Sequence, residues 1–124
     1  MARILVAEDE ETLRNLVVRA LAQDGHEVVA ASDGAEALEL LVRDQGRFDL
    51  LLSDIRMPLM DGVTLARAAA RDNPDLVILL MTAYADQRQR AGLDARIHDV
   101  ITKPFTLAEI KVAVNEALAT RRGA

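Results

Sequence analysis

The 124-residue chain has no cysteine, no tryptophan, one tyrosine, two phenylalanines and only two lysines among its 15 basic residues. The missing cysteine excludes disulfides, thiolate metal sites and thiol nucleophiles together. So few rings leave an aliphatic core and no aromatic walls for a flavin. Twenty acidic residues outnumber the basic ones, for a formal charge of −5. With no cationic excess to hold a phosphate backbone, no nucleic-acid partner is expected. The longest apolar runs, such as Leu76 to Met81, fall far short of the roughly 20 residues of a membrane span. Met1-Ala2-Arg3 leads directly into Ile4-Leu5-Val6 and a charge cluster, unlike a secretory signal, so a cytoplasmic location off the membrane is expected. The six glycines, at 25, 34, 46, 62, 92 and 123, are too scattered to form a phosphate-cradling loop.

What is present is an alternation. Short continuous apolar runs recur at Ile4 to Ala7, Val28 to Ala31, Leu50 to Leu52, Leu76 to Met81, and Val100 to Ile101. Continuous rather than alternating polarity is the mark of strands covered on both faces. Between the runs the period becomes helical. Leu13, Leu16, Val17, Ala20 and Leu21 form one stripe, followed by Gly25 where a helix end wants positive φ. Ala35, Leu38, Leu41 and Val42 form a second, stopped by Gly46. A third helix is expected from about Val63 to Arg71, ahead of Asn73-Pro74. A fourth, polar and short, is expected around Ala85 to Ala91. Ile110, Val114, Ala117 and Leu118 define the last, with Thr106 and Glu109 spaced as a capping box. Five strand–helix units on short connections predict one doubly wound α/β domain, a parallel sheet with right-handed crossovers.

Chemistry in such sheets gathers at the carboxyl ends of the strands, near the topological switch point. Glu8 and Asp9 follow the first run, Asp54 the third, Thr82 the fourth, and Thr102-Lys103 the fifth. If the strand order is 2-1-3-4-5, the first and third strands are neighbours, and Glu8, Asp9 and Asp54 then converge on one crevice. Three ionised carboxylates there need a cation. A few hard oxygen ligands suit Mg²⁺, which keeps several waters. A carboxylate so placed is also a nucleophile towards phosphorus. Lys103 offers a compact charge and Thr82 a hydroxyl to the same group. Taken singly, each residue has an ordinary structural use: Glu8-Asp9 or Thr82 as a helix cap, Asp54 as a loop residue, Lys103-Pro104 as a turn. Their joint placement at the ends of one sheet is what points to function.

These stretches resemble the response-regulator receiver domain, the CheY-like module of two-component signalling. The likeness runs through Ile4-Leu5-Val6-Ala7-Glu8-Asp9-Glu10, through Asp49 to Gly62 with Ser53-Asp54-Ile55-Arg56-Met57-Pro58, and through Met81-Thr82-Ala83 and Thr102-Lys103-Pro104-Phe105. It implies a single receiver unit over residues 1–124 with no output domain, since the fifth helix closes near Ala119. It further implies Asp54 as phosphoacceptor, Mg²⁺ on Glu8, Asp9, Asp54 and the Arg56 backbone carbonyl, and Thr82 and Lys103 on the phosphoryl oxygens. The implied donor is a histidine kinase or histidine phosphotransferase. No enzyme activity on an outside substrate is implied, only catalysis of the module's own phosphorylation and dephosphorylation. Arg56 and Tyr84, two residues beyond Asp54 and Thr82, sit where this family tunes phosphoryl lifetime. A narrower likeness, in Tyr84 to Arg88 and Ile97 to Thr106, is to the CpdR-type stand-alone regulators. That one implies phosphorylation-dependent protein binding, with ClpX as partner, in an adaptor role for the ClpXP protease in cell-cycle control.

One position departs from the pattern. Three residues before the lysine, receivers carry a switching Phe, Tyr or His; here that residue is Val100. His26 and His98 read as structural, and Arg88, Arg90 and Arg96 as either a partner face or a solvated helix side. Two other function classes fit less well. An aspartyl-phosphate phosphatase of the haloacid-dehalogenase type expects a second Asp where Arg56 stands, and a cap domain besides. A receiver-like interaction module that is never phosphorylated has no need of the intact acidic set.

Overall fold

A computed structural model describes residues 2–44, 47–84 and 94–123. Five parallel strands, β1 (Arg3–Ala7), β2 (Glu27–Ala31), β3 (Leu50–Asp54), β4 (Val77–Thr82) and β5 (Asp99–Thr102), form one sheet in the order β2-β1-β3-β4-β5. The described helices are α1 (Glu11–Gln23), α2 (Gly34–Arg43), α3 (Gly62–Asp72) and α4 (Leu107–Gly123). Period-2 side-chain direction splits each strand between two cores. Ile4, Val6, Leu50 and Leu52 pack with Val17 and Leu21 of α1 and Ile110 and Val114 of α4. Leu5, Ala7, Leu51, Ile78 and Leu80 pack on the other face with Ala37 and Leu41 of α2 and Leu65 of α3. Two buried faces are why the strands read as unbroken apolar runs.

Local chemistry sets the helix ends. Glu10, not Glu8 or Asp9, caps α1 by accepting the N–H groups of Thr12 and Leu13. That leaves both upstream carboxylates for other work. Gly25 takes φ +88°, as the helix end demands. Asp33 and Asp61 cap α2 and α3 through the N–H groups of Glu36 and Thr64. Thr106 and Glu109 exchange reciprocal bonds of 2.9 and 3.0 Å, the expected capping box before α4.

Strand boundaries differ from expectation. β3 runs on through Ser53 and Asp54, which pair with Leu80 and Met81. Thr82 and Thr102 likewise pair inside the ladder. The neighbouring backbones satisfy these polar residues' peptide groups, so pairing continues past the end of the apolar run. Leu76 lies outside β4, its N–H closing a turn onto the Asn73 carbonyl. α2 ends at Arg43 with Asp44 as its C-cap, before the expected stop. Gly46, the helix expected around Ala85 to Ala91, and Arg88 and Arg90 lie outside the described residues.

Candidate functional site

Adjacency of β1 and β3, with Ala7 opposite Ser53, brings the residues after one strand beside the last residue of the other. Carboxylate oxygens of Glu8, Asp9 and Asp54 all lie within 4.8 Å of one another. Glu8 and Asp54 are buried and Asp9 is exposed, so the cluster has a closed floor and an open rim. Lys103 Nζ reaches in from the end of β5 to Glu8 Oε1 at 2.9 Å and Asp54 Oδ2 at 3.2 Å. Lys103 N–H also donates to the Thr82 carbonyl at 2.8 Å, which fixes β5's exit beside β4. The Lys103-Pro104 peptide is cis. All five sequence-selected side chains, at positions 8, 9, 54, 82 and 103, therefore stand at the carboxyl ends of adjacent strands.

Arg14, Gly62 and Leu59 support the site without having carried a separate signal in the sequence. Glu8 is held at both ends: Oε2 accepts the Glu10 N–H at 3.0 Å, and its carbonyl accepts Arg14 Nη1 at 3.0 Å. A Cβ at Gly62 would stand 2.1 Å from the Asp54 carbonyl oxygen, so only glycine lets α3 start against the back of the phosphoacceptor candidate. The loop between them turns through Leu59, which is at φ +70° and 84% exposed. Tyr84 N–H donates to Thr82 Oγ1 at 3.1 Å. The Arg56 guanidinium lies 5.0 Å from the Tyr84 ring centroid. A concavity of about 480 Å³ opens at the rim, lined by Asp9, Ile55, Arg56, Met57, Pro58 and Asp61.

The electrostatics follow from burial. Burial pushes the Glu8 carboxyl above its ordinary 4.5, the Asp54 charge pushes the same way, and the Glu10 N–H and Lys103 offset this only in part. Burial likewise raises Asp54 above 3.8, with Asp9 reinforcing and Lys103 opposing. For Lys103 burial alone would pull the ammonium down, but its bonds to Glu8 and Asp54 win and hold it above 10.5. One ammonium among three carboxylates leaves negative charge in excess, in a place where water is partly excluded. An oxygen-rich set with that surplus fits a hard divalent cation.

The two histidines are structural neighbours, not site members. His26 Nδ1 accepts the Ala2 N–H at 3.2 Å, and Nε2 faces Asn115 Oδ1 at 3.1 Å, tying β1 to α4. His98 N–H donates to the Ile78 carbonyl. Arg96 pairs with Asp94, whose carboxyl it holds down at about 2 through hydrogen bonds.

Strand order 2-1-3-4-5 around an acidic crevice at the ends of β1 and β3 is a CheY-like architecture. Residues 4–115 match the family model of the response regulator receiver domain, and the chain belongs to that family. It is 43% identical over 117 residues to the response regulator receiver protein CpdR of Brucella abortus, covering 94% of this chain and 93% of CpdR. It is 39% identical over 117 residues to the response regulator MprA of Mycobacterium leprae, but spans only 50% of that protein's length. Among solved structures it superposes on TrrA of Thermotoga maritima, in complex with Mg²⁺–BeF, with TM-score 0.84, 32% identity and coverage of 94% and 99% of the two chains. The protein is thus a CheY-like receiver of the two-component type, a family of signalling modules. Among the described residues no helix is long and apolar enough to cross a membrane.

Proposed function

We propose that Asp54 accepts a phosphoryl group from a phosphohistidine on a histidine kinase or histidine phosphotransferase. The observation that carries this is the buried Asp54 carboxylate, bridged by Lys103 to Glu8 within a cluster of three carboxylates. Asp54 Oδ attacks phosphorus, the P–N bond breaks, and the imidazole nitrogen keeps the electron pair and takes a proton from water. Glu8, Asp9, Asp54 and the Arg56 carbonyl would hold Mg²⁺, which when bound neutralises charge on the phosphoryl oxygens. Lys103 and the Thr82 hydroxyl orient those oxygens and balance the rest. Lys103 needs no large excursion, because its ammonium already sits 3.2 Å from Asp54 Oδ2. A recess of about 390 Å³ beside Lys103, with Leu13, Leu16, Pro104 and Phe105 among its lining residues, gives a donor protein apolar surface next to the crevice.

On this reading residues 1–124 act as one receiver unit in the cytoplasm and signal through protein contact. The likeness to CpdR supports ClpX as the output partner and a ClpXP adaptor role. Incubation with acetyl phosphate and Mg²⁺ is expected to add one phosphoryl group by intact mass, and a chelator or Asp54→Asn to abolish the gain. Full incorporation in the Asn variant would exclude Asp54 as acceptor. Capture of ClpX by one phosphorylation state over the other is the expected output; capture by neither removes the adaptor role.

A further inference from the structure

Val100 is buried and aliphatic at the position of the usual switching ring, and the chain's single tyrosine lies at the crevice instead. Tyr84 has two contacts there. Its backbone N–H donates to the hydroxyl of buried Thr82, and the residue, 46% exposed, sets its ring against the Arg56 guanidinium. Arg56 lies two residues beyond Asp54, and Tyr84 two beyond Thr82, on segments leaving the paired strands β3 and β4. Among the described residues a cation–π contact therefore joins the two segments at the carboxyl end, and one side of it is tied to Thr82.

We propose that the Tyr84–Arg56 contact is the conformational readout of the crevice, standing in for the ring that Val100 does not supply. This rests on Asp54 being phosphorylated. The phosphoryl group carries up to about two negative charges in place of the carboxylate's one, a net gain of about one at the base of the contact. Two pulls then act in one direction. The Thr82 side chain moves inward to donate its O–H to a phosphoryl oxygen, and that displacement carries Oγ1 away from the Tyr84 N–H. The Arg56 guanidinium is drawn from the ring toward the new charge, a stronger partner than a π face. Ring and cation separate, and Tyr84 is presented to solvent or to a partner. An exposed cation–π contact shifts a population only about two- to fivefold, so a charge-assisted hydrogen bond is enough to reverse it.

With one tyrosine and no tryptophan, intrinsic tyrosine emission reports Tyr84 alone. The full chain is treated with acetyl phosphate and Mg²⁺ while intact mass scores phosphoryl and acrylamide quenching scores exposure of the ring. Quenching is expected to rise in step with the mass gain. Arg56→Ala, which keeps the backbone carbonyl at an exposed position, should show the raised quenching before any phosphodonor is added. Arg56→Lys should restore the low resting value. A mass gain with unchanged wild-type quenching overturns this inference and leaves the reading of Asp54 standing, as does an Arg56→Ala resting value equal to wild type. No mass gain overturns the Asp54 reading and the inference with it.

Discussion

At the amino ends of the strands, Arg3 bridges Asp44 at 2.8 Å and Glu27 at 3.3 Å, lies 4.4 Å from the Phe48 ring centroid, and donates its N–H to Asp49 Oδ2 at 2.8 Å. At the carboxyl ends of the same sheet, one lysine serves Glu8 and Asp54 with Asp9 alongside. The first arrangement keeps its carboxylates within reach of solvent, Glu27 above all, and joins β1, β2 and the α2–β3 connection. The second buries like charges and leaves them in surplus, at a cost to stability that only a bound cation or a proton relieves. One cation among three carboxylates therefore recurs at both ends of the sheet, and burial is what separates them. The buried end is the one suited to respond to a ligand, because there the folded state gains by binding positive charge.

The contrast can be broken or sharpened by measurement. Gly62→Ala should have the largest effect, a loss of about 3 kcal/mol or more, because the new methyl group meets backbone 2.1 Å away and neither α3 nor Asp54 can yield cheaply. Urea denaturation reads this, and a near-neutral result would mean that the carboxyl end is softer than its packing. Mg²⁺ at a hundred times its dissociation constant should stabilise the wild type by about 2.7 kcal/mol. The same titration should do little to Asp54→Ala yet act fully on Arg3→Ala, by thermal melts. Arg3→Ala should cost about 1–2 kcal/mol, from its ion pairs and the stacking of its guanidinium on the Phe48 ring.

The smallest effect has an unusual sign. With divalent cations chelated near pH 7, Asp54→Asn should melt a few degrees above wild type, since burial disfavours the carboxylate it replaces. Folded Glu8 and Asp54 hold protons more tightly than the unfolded chain. Their contribution is therefore gained as pH falls toward 4.5 and 3.8 and lost as pH rises through the raised values. The gap between Asp54→Asn and wild type should accordingly shrink from pH 7 to pH 4.5, followed by urea midpoints. Asp94 works the other way at the exposed Arg96 pair: its share is present above 3.8 and lost as pH falls through about 2.

Much of the molecule was legible in the residues. Unbroken apolar runs located all five strands, and helical stripes with Gly25, Asn73-Pro74 and the Thr106–Glu109 pair located the described helices. The boundaries at Ser53-Asp54 and Thr82 were not legible, because ladder pairing with Leu80, Met81 and Thr102 overrides local polarity. Nor was the cap of α1. Glu8, Asp9 and Glu10 are adjacent acidic residues, and which of them turns to Thr12 and Leu13 depends on where β1 ends.

Composition and order along the chain by themselves determined an aliphatic two-faced sheet, an acidic surplus and the set of residues at the strand ends, since periodicity and side-chain chemistry are local properties. Tertiary structure alone decided the rest. It brought Glu8 and Lys103, 95 residues apart, to 2.9 Å, set Gly62 against Asp54 and laid Arg56 over Tyr84. It also settled that burial lifts the carboxyls at one end of the sheet while Arg3 at the other sits among its partners. Desolvation and long-range pairing depend on what surrounds a group in space, which a residue's neighbours in sequence do not specify.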